Sequence, residues 1–198
     1  GNEMAKGHKF FQLSGISISN DNQFAIFSLD VVGRRIYTIQ IKNLNTGEIL
    51  ADKIENATGN VAWANDNKTF FYTRQDEKTL RSDKVYKHKL GANTAQDALV
   101  YFEKDDTFNV SVMKGKSKKY IAIGSSSTLT DEYRTILADE PDSEFKVFQE
   151  RVRGLEYSIS HYGDSFYIVT NANDAANFKL MKTSENATAK ANWKDLIS

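Results

Sequence analysis

The side chains able to do chemistry in this chain are few and scattered. Three histidines occur, His8, His88 and His161, and no cysteine. A metal centre or a nucleophile–base–acid triad needs such groups converged with carboxylates. The histidines fall in a leader segment, a third strand and a hairpin turn of different repeat units, so they read as surface or half-buried residues. The lack of cysteine excludes disulfides, thiolate ligands and a sulfur nucleophile. Gly124-Ser125-Ser126-Ser127-Thr128 is the string nearest to a Gly-x-Ser-x-Gly nucleophile elbow. It lacks the second glycine and sits at a strand end without the strand–elbow–helix setting an elbow requires. It also lacks the lysine and helix of a phosphate-cradling loop. No residue is therefore assigned a catalytic, cofactor-binding or metal-binding role, and no cofactor is expected.

Charged positions offer more. Glu103-Lys104-Asp105-Asp106 pairs carboxylates that could take a cation or a basic ligand. Lys104 already offers them a partner, and exposed ion pairs contribute little, so a solvated loop is expected. Arg151, Arg153 and Glu156 are the candidate contact residues. They lie at a junction between repeat units and lead into an innermost strand, an address from which side chains reach a central channel or a neighbouring domain. Trp63, also on an innermost strand, reads as packing.

Composition narrows the function further. The 198 residues carry 26 Lys plus Arg against 26 Asp plus Glu, a formal net charge of zero. That balance argues against a basic nucleic-acid surface and an acidic disordered tail. Apolar residues make up 40% and aromatics 12%, enough to build a core. No run approaches the roughly 18 apolar residues of a membrane span, and the N-terminal residues hold no apolar signal-peptide core. No membrane or nucleic-acid partner is expected, and the cysteine-free composition fits a reducing, cytoplasmic location.

The elements that must position these residues come from a repeat. Ile18-Ser19-Asn20-Asp21-Asn22-Gln23 and Trp63-Ala64-Asn65-Asp66-Asn67-Lys68 lie 45 residues apart, each followed by an aromatic-rich run. Asn-Asp-Asn is turn chemistry, because both residue types tolerate left-handed backbone and cap their own turns. Strand, tight turn and strand make a hairpin. The pattern returns at Val110–Ile123 and Tyr157–Val169, so units begin near 15, 60, 108 and 155. Each holds two further strand-like runs. Four short strands per roughly 45 residues is the period of a β-propeller blade. The expected fold is all-β: a leader over 1–14, then four-stranded antiparallel blades over 15–59, 60–107, 108–154 and 155–198. A lone blade cannot bury both faces, so blades stack about an axis with the first strand of each innermost.

Several colinear strings then point to a family. They are Val32-Gly33-Arg34-Arg35-Ile36-Tyr37, Val61-Ala62-Trp63-Ala64-Asn65-Asp66, Val100–Phe108, Gly124–Thr128 running to Glu132-Tyr133-Arg134, Arg153–Ser158 and His161-Tyr162-Gly163. In sum the chain resembles the propeller domain of the prolyl oligopeptidase family of serine peptidases, in its oligopeptidase B (protease II) branch. The resemblance spans essentially the whole chain. It implies a seven-bladed ring, of which these are about four blades, beside an α/β-hydrolase domain that this sequence does not contain. It implies a parent that hydrolyses short peptides after Lys or Arg, the propeller acting as a size filter over the active site. The family's Ser, Asp and His find no match here, so this segment by itself is expected to be inactive. The alternative is a free-standing propeller that serves as a protein-binding scaffold. An open arc should also expose apolar blade faces, with Phe24, Ile26, Phe166 and Ile168 as the residues expected there, and should pair with a second copy.

Overall fold

The structure is a computed structural model that describes residues 2–197. Apart from α1 (Asn2–Ala5) and two single-turn 3-10 segments, every element is a strand. No helix among the described residues is long and apolar enough to cross a membrane.

The first hairpin is β1 (Gln12–Ile18) and β2 (Phe24–Asp30), followed by β3 (Tyr37–Asn43) and β4 (Ile49–Trp63). Next come β5 (Thr69–Gln75), β6 (Ser82–Lys89) and β7 (Ala98–Phe102). A third group is β8 (Asn109–Lys114), β9 (Tyr120–Ser126), β10 (Asp131–Leu137) and β11 (Lys146–Val147). The fourth is β12 (Tyr157–Tyr162), β13 (Ser165–Thr170), β14 (Lys179–Ser184) and β15 (Lys194–Ile197). All pairings are antiparallel between neighbours in sequence.

The hairpin turns obey the chemistry that announced them. Asn22, Asn67, Lys118 and Gly163 all take positive φ, between 57° and 63°, at the same place in the four first hairpins. In the first two, the turn aspartate accepts backbone N–H groups: Asp21 from Gln23 at 3.1 Å, Asp66 from Lys68 at 3.0 Å and Thr69 at 2.8 Å. Asparagine is the side chain that tolerates this left-handed position best after glycine.

The first two units form one seven-stranded sheet. The early part of β4 pairs with β3 and its late part with β5. The boundary read at 59/60 thus lies inside a strand. Positive φ at Asn56 and Gly59 and a register shift bend the chain there, so β4 serves as the outer strand of one unit and the inner strand of the next.

Apolar clusters fill the gaps between consecutive units. Ile26, Ile39, Ile41 and Ile54 meet Trp63, Phe70 and Tyr72. Ala62, Phe71 and Val85 meet Val110, Val112, Ile121 and Ile123. Ala122 and Tyr133 meet Tyr157, Phe166, Ile168, Met181 and Trp193. Alternate residues of β5 face opposite gaps, as the period of two requires. Trp63 is packing, as expected, and its indole N–H also donates to the Ser17 carbonyl at 3.2 Å. At the inner edge the backbones nearly touch: a Cβ on Gly15 would lie 1.9 Å from the Gly59 carbonyl oxygen.

The arc is open. Among the described residues no hydrogen bond or ion pair joins the first unit to the fourth. Ile26, Phe166 and Ile168, expected on the uncovered faces, are instead buried at 0%, 2% and 0% exposure, and Phe24 is half-buried. They occupy the strand face that meets the neighbouring unit, a choice that alternation alone leaves undetermined. The uncovered face of the first unit carries Leu13, Ile16 and Ile18, exposed at 38%, 63% and 43%. That of the fourth carries Tyr162 and Val169.

Antiparallel order sorts the loops onto two faces. First hairpins and third turns lie on one, the hairpin face. Second turns and the links between units lie on the other, the crossover face, and there Arg151, Arg153 and Glu156 sit.

Candidate functional site

The crossover face is organised around Arg151. It lies in the link between β11 and β12, and its Nη2 reaches Glu103 Oε2 at 2.5 Å in the preceding link. Its Nε stands 3.4 Å from Glu132 Oε2 on β10. The guanidinium also caps the Phe108 ring, 3.8 Å from the centroid, a cation–π contact strengthened by burial. One side chain thereby ties the second unit to the third, at the link that leads into the fourth.

The partners of Arg151 are themselves held. Glu103 is buried, and its carboxylate accepts the Tyr101 hydroxyl at 2.7 Å and the Asp105 N–H at 3.1 Å. Tyr101 in turn accepts from Ser125 Oγ at 3.1 Å and Arg134 Nη1 at 3.2 Å, and Arg134 pairs with Glu132. Arg81 donates to the carbonyls of Glu103, Asp105 and Phe108, fixing the link that carries Glu103. The next link is stapled as firmly: Gly154 N–H donates to Thr130 Oγ1 at 3.0 Å, and Tyr157 N–H to Asp131 Oδ2 at 3.0 Å.

Burial works to raise the Glu103 carboxyl. The hydrogen bonds from Arg151, Tyr101 and Asp105 outweigh it and hold the group down at about 2. A carboxylate locked ionised near neutral pH neither gives nor takes protons, so this network is a latch and not an acid–base site.

The three candidate residues therefore part company. Arg151 is the centre of the network. Arg153 is exposed and makes no side-chain hydrogen bond or ion pair among the described residues. Among the described residues Glu156 Oε1 accepts only from Asn171 Nδ2, at 3.2 Å. The solvated loop expected at 103–106 is half right: Lys104 and Asp106 are exposed, but Glu103 is buried and its partner is Arg151, not Lys104. Glu132, Arg134 and Tyr101 were not singled out as a group. Their signal is the pairing of lone charges on successive units, which no local motif carries.

Two histidines are deeper than the surface or half-buried setting expected. His88 lies in β6, fully buried, with Nδ1 2.7 Å from Asp97 Oδ1, and Asp97 also accepts the Tyr72 hydroxyl at 2.9 Å. His161 lies within β12, not in a turn. Its Nε2 is 3.1 Å from Glu185 Oε2 and its Nδ1 3.0 Å from Ser117 Oγ. A carboxylate only accepts, so Nε2 carries a proton and donates to Glu185. The imidazole packs on Tyr120 and Phe166, each 4.8 Å between centroids, and joins the third unit to the fourth at the hairpin face. Among the described residues no group of three or more His, Cys, Asp or Glu is placed to hold a metal ion. Ser125, in the string that superficially suggests an elbow, is buried inside β9.

Comparison with known proteins agrees along the whole chain. The sequence profile described as "Prolyl oligopeptidase, N-terminal beta-propeller domain" matches residues 1–198. Dipeptidyl aminopeptidase BI of Pseudoxanthomonas mexicana is 39% identical over 197 residues, covering 100% of this chain and 27% of the relative. Protease 2 of Moraxella lacunata is 34% identical over 183 residues, covering 91% of this chain and 26% of the relative. Among solved structures, oligopeptidase B from Leishmania major superposes with a TM-score of 0.92 at 26% identity, covering 100% of this chain and 28% of that one. The chain thus spans about a quarter of the length of the proteins it matches.

Proposed function

The chain belongs to the prolyl oligopeptidase family, as N-terminal β-propeller domain, and from that premise we propose that it is the size-filtering wall of an oligopeptidase B-like serine peptidase. In this reading three further blades complete a ring of seven and cover the exposed faces of the first and fourth units. A hydrolase domain outside this sequence supplies a serine nucleophile, a histidine base and an orienting aspartate for acyl transfer. Its substrates are short peptides cut after Lys or Arg, as the oligopeptidase B likeness implies. The propeller contributes sterically, admitting flexible peptides and excluding folded proteins.

The observation that carries this reading is the match of the entire chain, in sequence and in fold, to the propellers of these peptidases. The latch supports it. A filter works only if its rim keeps its shape, and Arg151 with Glu103 and Glu132 fixes two successive links of the crossover face. Arg151 is then a positioning residue, while exposed Arg153 and the nearby Glu156 are the contacts offered to the hydrolase domain.

The test has two parts. The chain alone is incubated with an arginine ester and a serine-directed fluorophosphonate, and no turnover or labelling is expected. It then replaces the matching segment of Moraxella lacunata Protease 2, and cleavage of short Lys- and Arg-containing peptides is expected in the chimera. Activity of the isolated chain, or a folded but inactive chimera, would contradict the proposal.

A further inference from the structure

One arginine is partly buried without an anion to match it. Of the arginines of this chain, Arg74, Arg81, Arg134 and Arg151 are partly buried. Arg81 pairs with Asp83, Arg134 with Glu132 and Arg151 with Glu103. Arg74 has no such partner. Among the described residues its guanidinium makes no hydrogen bond, no carboxylate lies within ion-pairing distance of it, and its Nε is sealed from solvent with nothing to donate to. A guanidinium does not shed its proton in a protein, so the site holds a permanent, partly desolvated charge.

The fold fixes where that charge points. Arg74 lies in β5, between β4 and β6, with its backbone opposite Ala57 on one side and Lys84 on the other. Alternation turns its side chain, like those of Phe70 and Tyr72, towards the first unit. There the guanidinium carbon stands 4.9 Å from the ring centroid of Tyr86 and 5.5 Å from that of Tyr72, and the two rings are stacked at 19°. Cation–π contact holds the guanidinium in place and leaves its charge unneutralised. A cavity of about 390 Å³ opens at this point, lined by Arg74 and Tyr86, by Lys53 and Glu55 of β4, and by Thr94 and Asp97 beyond β6. The Arg74 backbone is paired on both sides and its Nε is sealed, so the part that lines the cavity is the Nη1–Nη2 edge.

The other charges of the cavity are committed. Asp97 accepts from His88 Nδ1 at 2.7 Å and from the Tyr72 hydroxyl at 2.9 Å. Lys53 and Glu55 pair with each other at 2.7 Å. Among the described residues the hydroxyls of Tyr86 and Thr94 have no hydrogen-bond partner. What the cavity lacks is one negative charge with acceptor oxygens.

We propose that this cavity, between the first and second units, is a binding site for a small organic monocarboxylate. The planar carboxylate matches the Nη1–Nη2 fork in two parallel N–H···O bonds. The Tyr86 and Thr94 hydroxyls are donors for its remaining lone pairs. Asp97 sets the preferred charge, because its carboxylate repels a doubly charged phosphate more than a singly charged acid.

The inference is independent of the peptidase reading and is tested on the chain without any peptidase assay. The isotope-labelled chain is titrated with sodium benzoate at neutral pH and constant ionic strength, and its backbone and arginine side-chain resonances are followed by NMR. Saturable one-to-one binding in the millimolar range is expected, with shifts centred on Arg74, Tyr86 and Thr94. Benzamide, of the same shape without the charge, should not bind, and phenyl phosphate should bind more weakly than benzoate. Arg74→Gln should weaken benzoate about tenfold or more, the effect of losing a hydrogen-bonded charge pair. Arg74→Lys should weaken it several-fold, since an ammonium keeps the charge and loses the fork. The benzoate–benzamide comparison needs no variant and stays decisive if a substitution disturbs the fold. Absence of saturable binding, equal binding of benzamide, or an unchanged affinity in a folded Arg74→Gln overturns the proposal, and tighter binding of phenyl phosphate overturns the choice of a carboxylate.

Discussion

Arg151 neutralises two buried carboxylates at once, and that sets what its loss should do. In Arg151→Ala, Glu103 keeps only Tyr101 and a backbone N–H, and Glu132 keeps only Arg134. Removing one member of a buried ion network leaves uncompensated charge and costs about 3 kcal/mol or more. An unfolding free energy lowered by that amount in urea titrations is expected, with Arg151→Lys intermediate because an ammonium cannot span both carboxylates as a planar fork does. The same network predicts a pH dependence. The Glu103 carboxyl is lowered from 4.5 to about 2 in the folded chain. A lowered carboxylate stabilises the fold above its unfolded value and loses that contribution as pH falls through the folded one. Stability should therefore fall between about pH 4.5 and 2, and denaturant titrations over that window should show a shallower slope in Arg151→Ala.

The elements show which features are local and which are not. The first hairpin of the second unit, β4 into β5 around Asn65-Asp66-Asn67, stands where the sequence places it, because its turn residues and alternation lie within a few positions of each other. The four positive-φ turn positions were equally legible as turns. The continuity of β4 was not, since Asn56 and Gly59 look like a loop and only pairing with strands on both sides makes them part of a strand. Nor was the latch legible, since Glu103 and Arg151 are 48 positions apart and meet only when sheets stack. Separations of 24 and 44 positions likewise hid the pairing of His161 with Glu185 and Ser117. Gly15 is the sharpest test at this scale. With φ of +61° and a carbonyl oxygen 1.9 Å from where a Cβ would stand, Gly15→Ala should abolish cooperative folding or cost more than about 3 kcal/mol. Gly47→Ala, also at positive φ but with nothing within 4 Å, should cost only about 1 kcal/mol. Equal effects in thermal melts would refute the close approach of β1 and β4.

At the scale of the molecule, the open arc leaves the Leu13, Ile16 and Ile18 face without a neighbour. An exposed apolar sheet face favours association, and two-fold pairing is the commonest closed form. The isolated chain is expected to dimerise reversibly in sedimentation equilibrium, and the double variant Ile16→Lys, Ile18→Lys to weaken the dimer at least tenfold; a wild-type chain that stays monomeric at every concentration would refute this. The chimera bears on the central claim most directly. Its cleavage rate is measured on flexible peptides of rising length, each with one central arginine, and on a folded protein bearing an arginine in an exposed loop. A steep loss of rate beyond short peptides, with the folded protein left intact and the cut-off relaxed in Arg151→Ala, is the result predicted for a propeller wall that filters by size. Equal rates on short peptides, long peptides and the folded protein would contradict it.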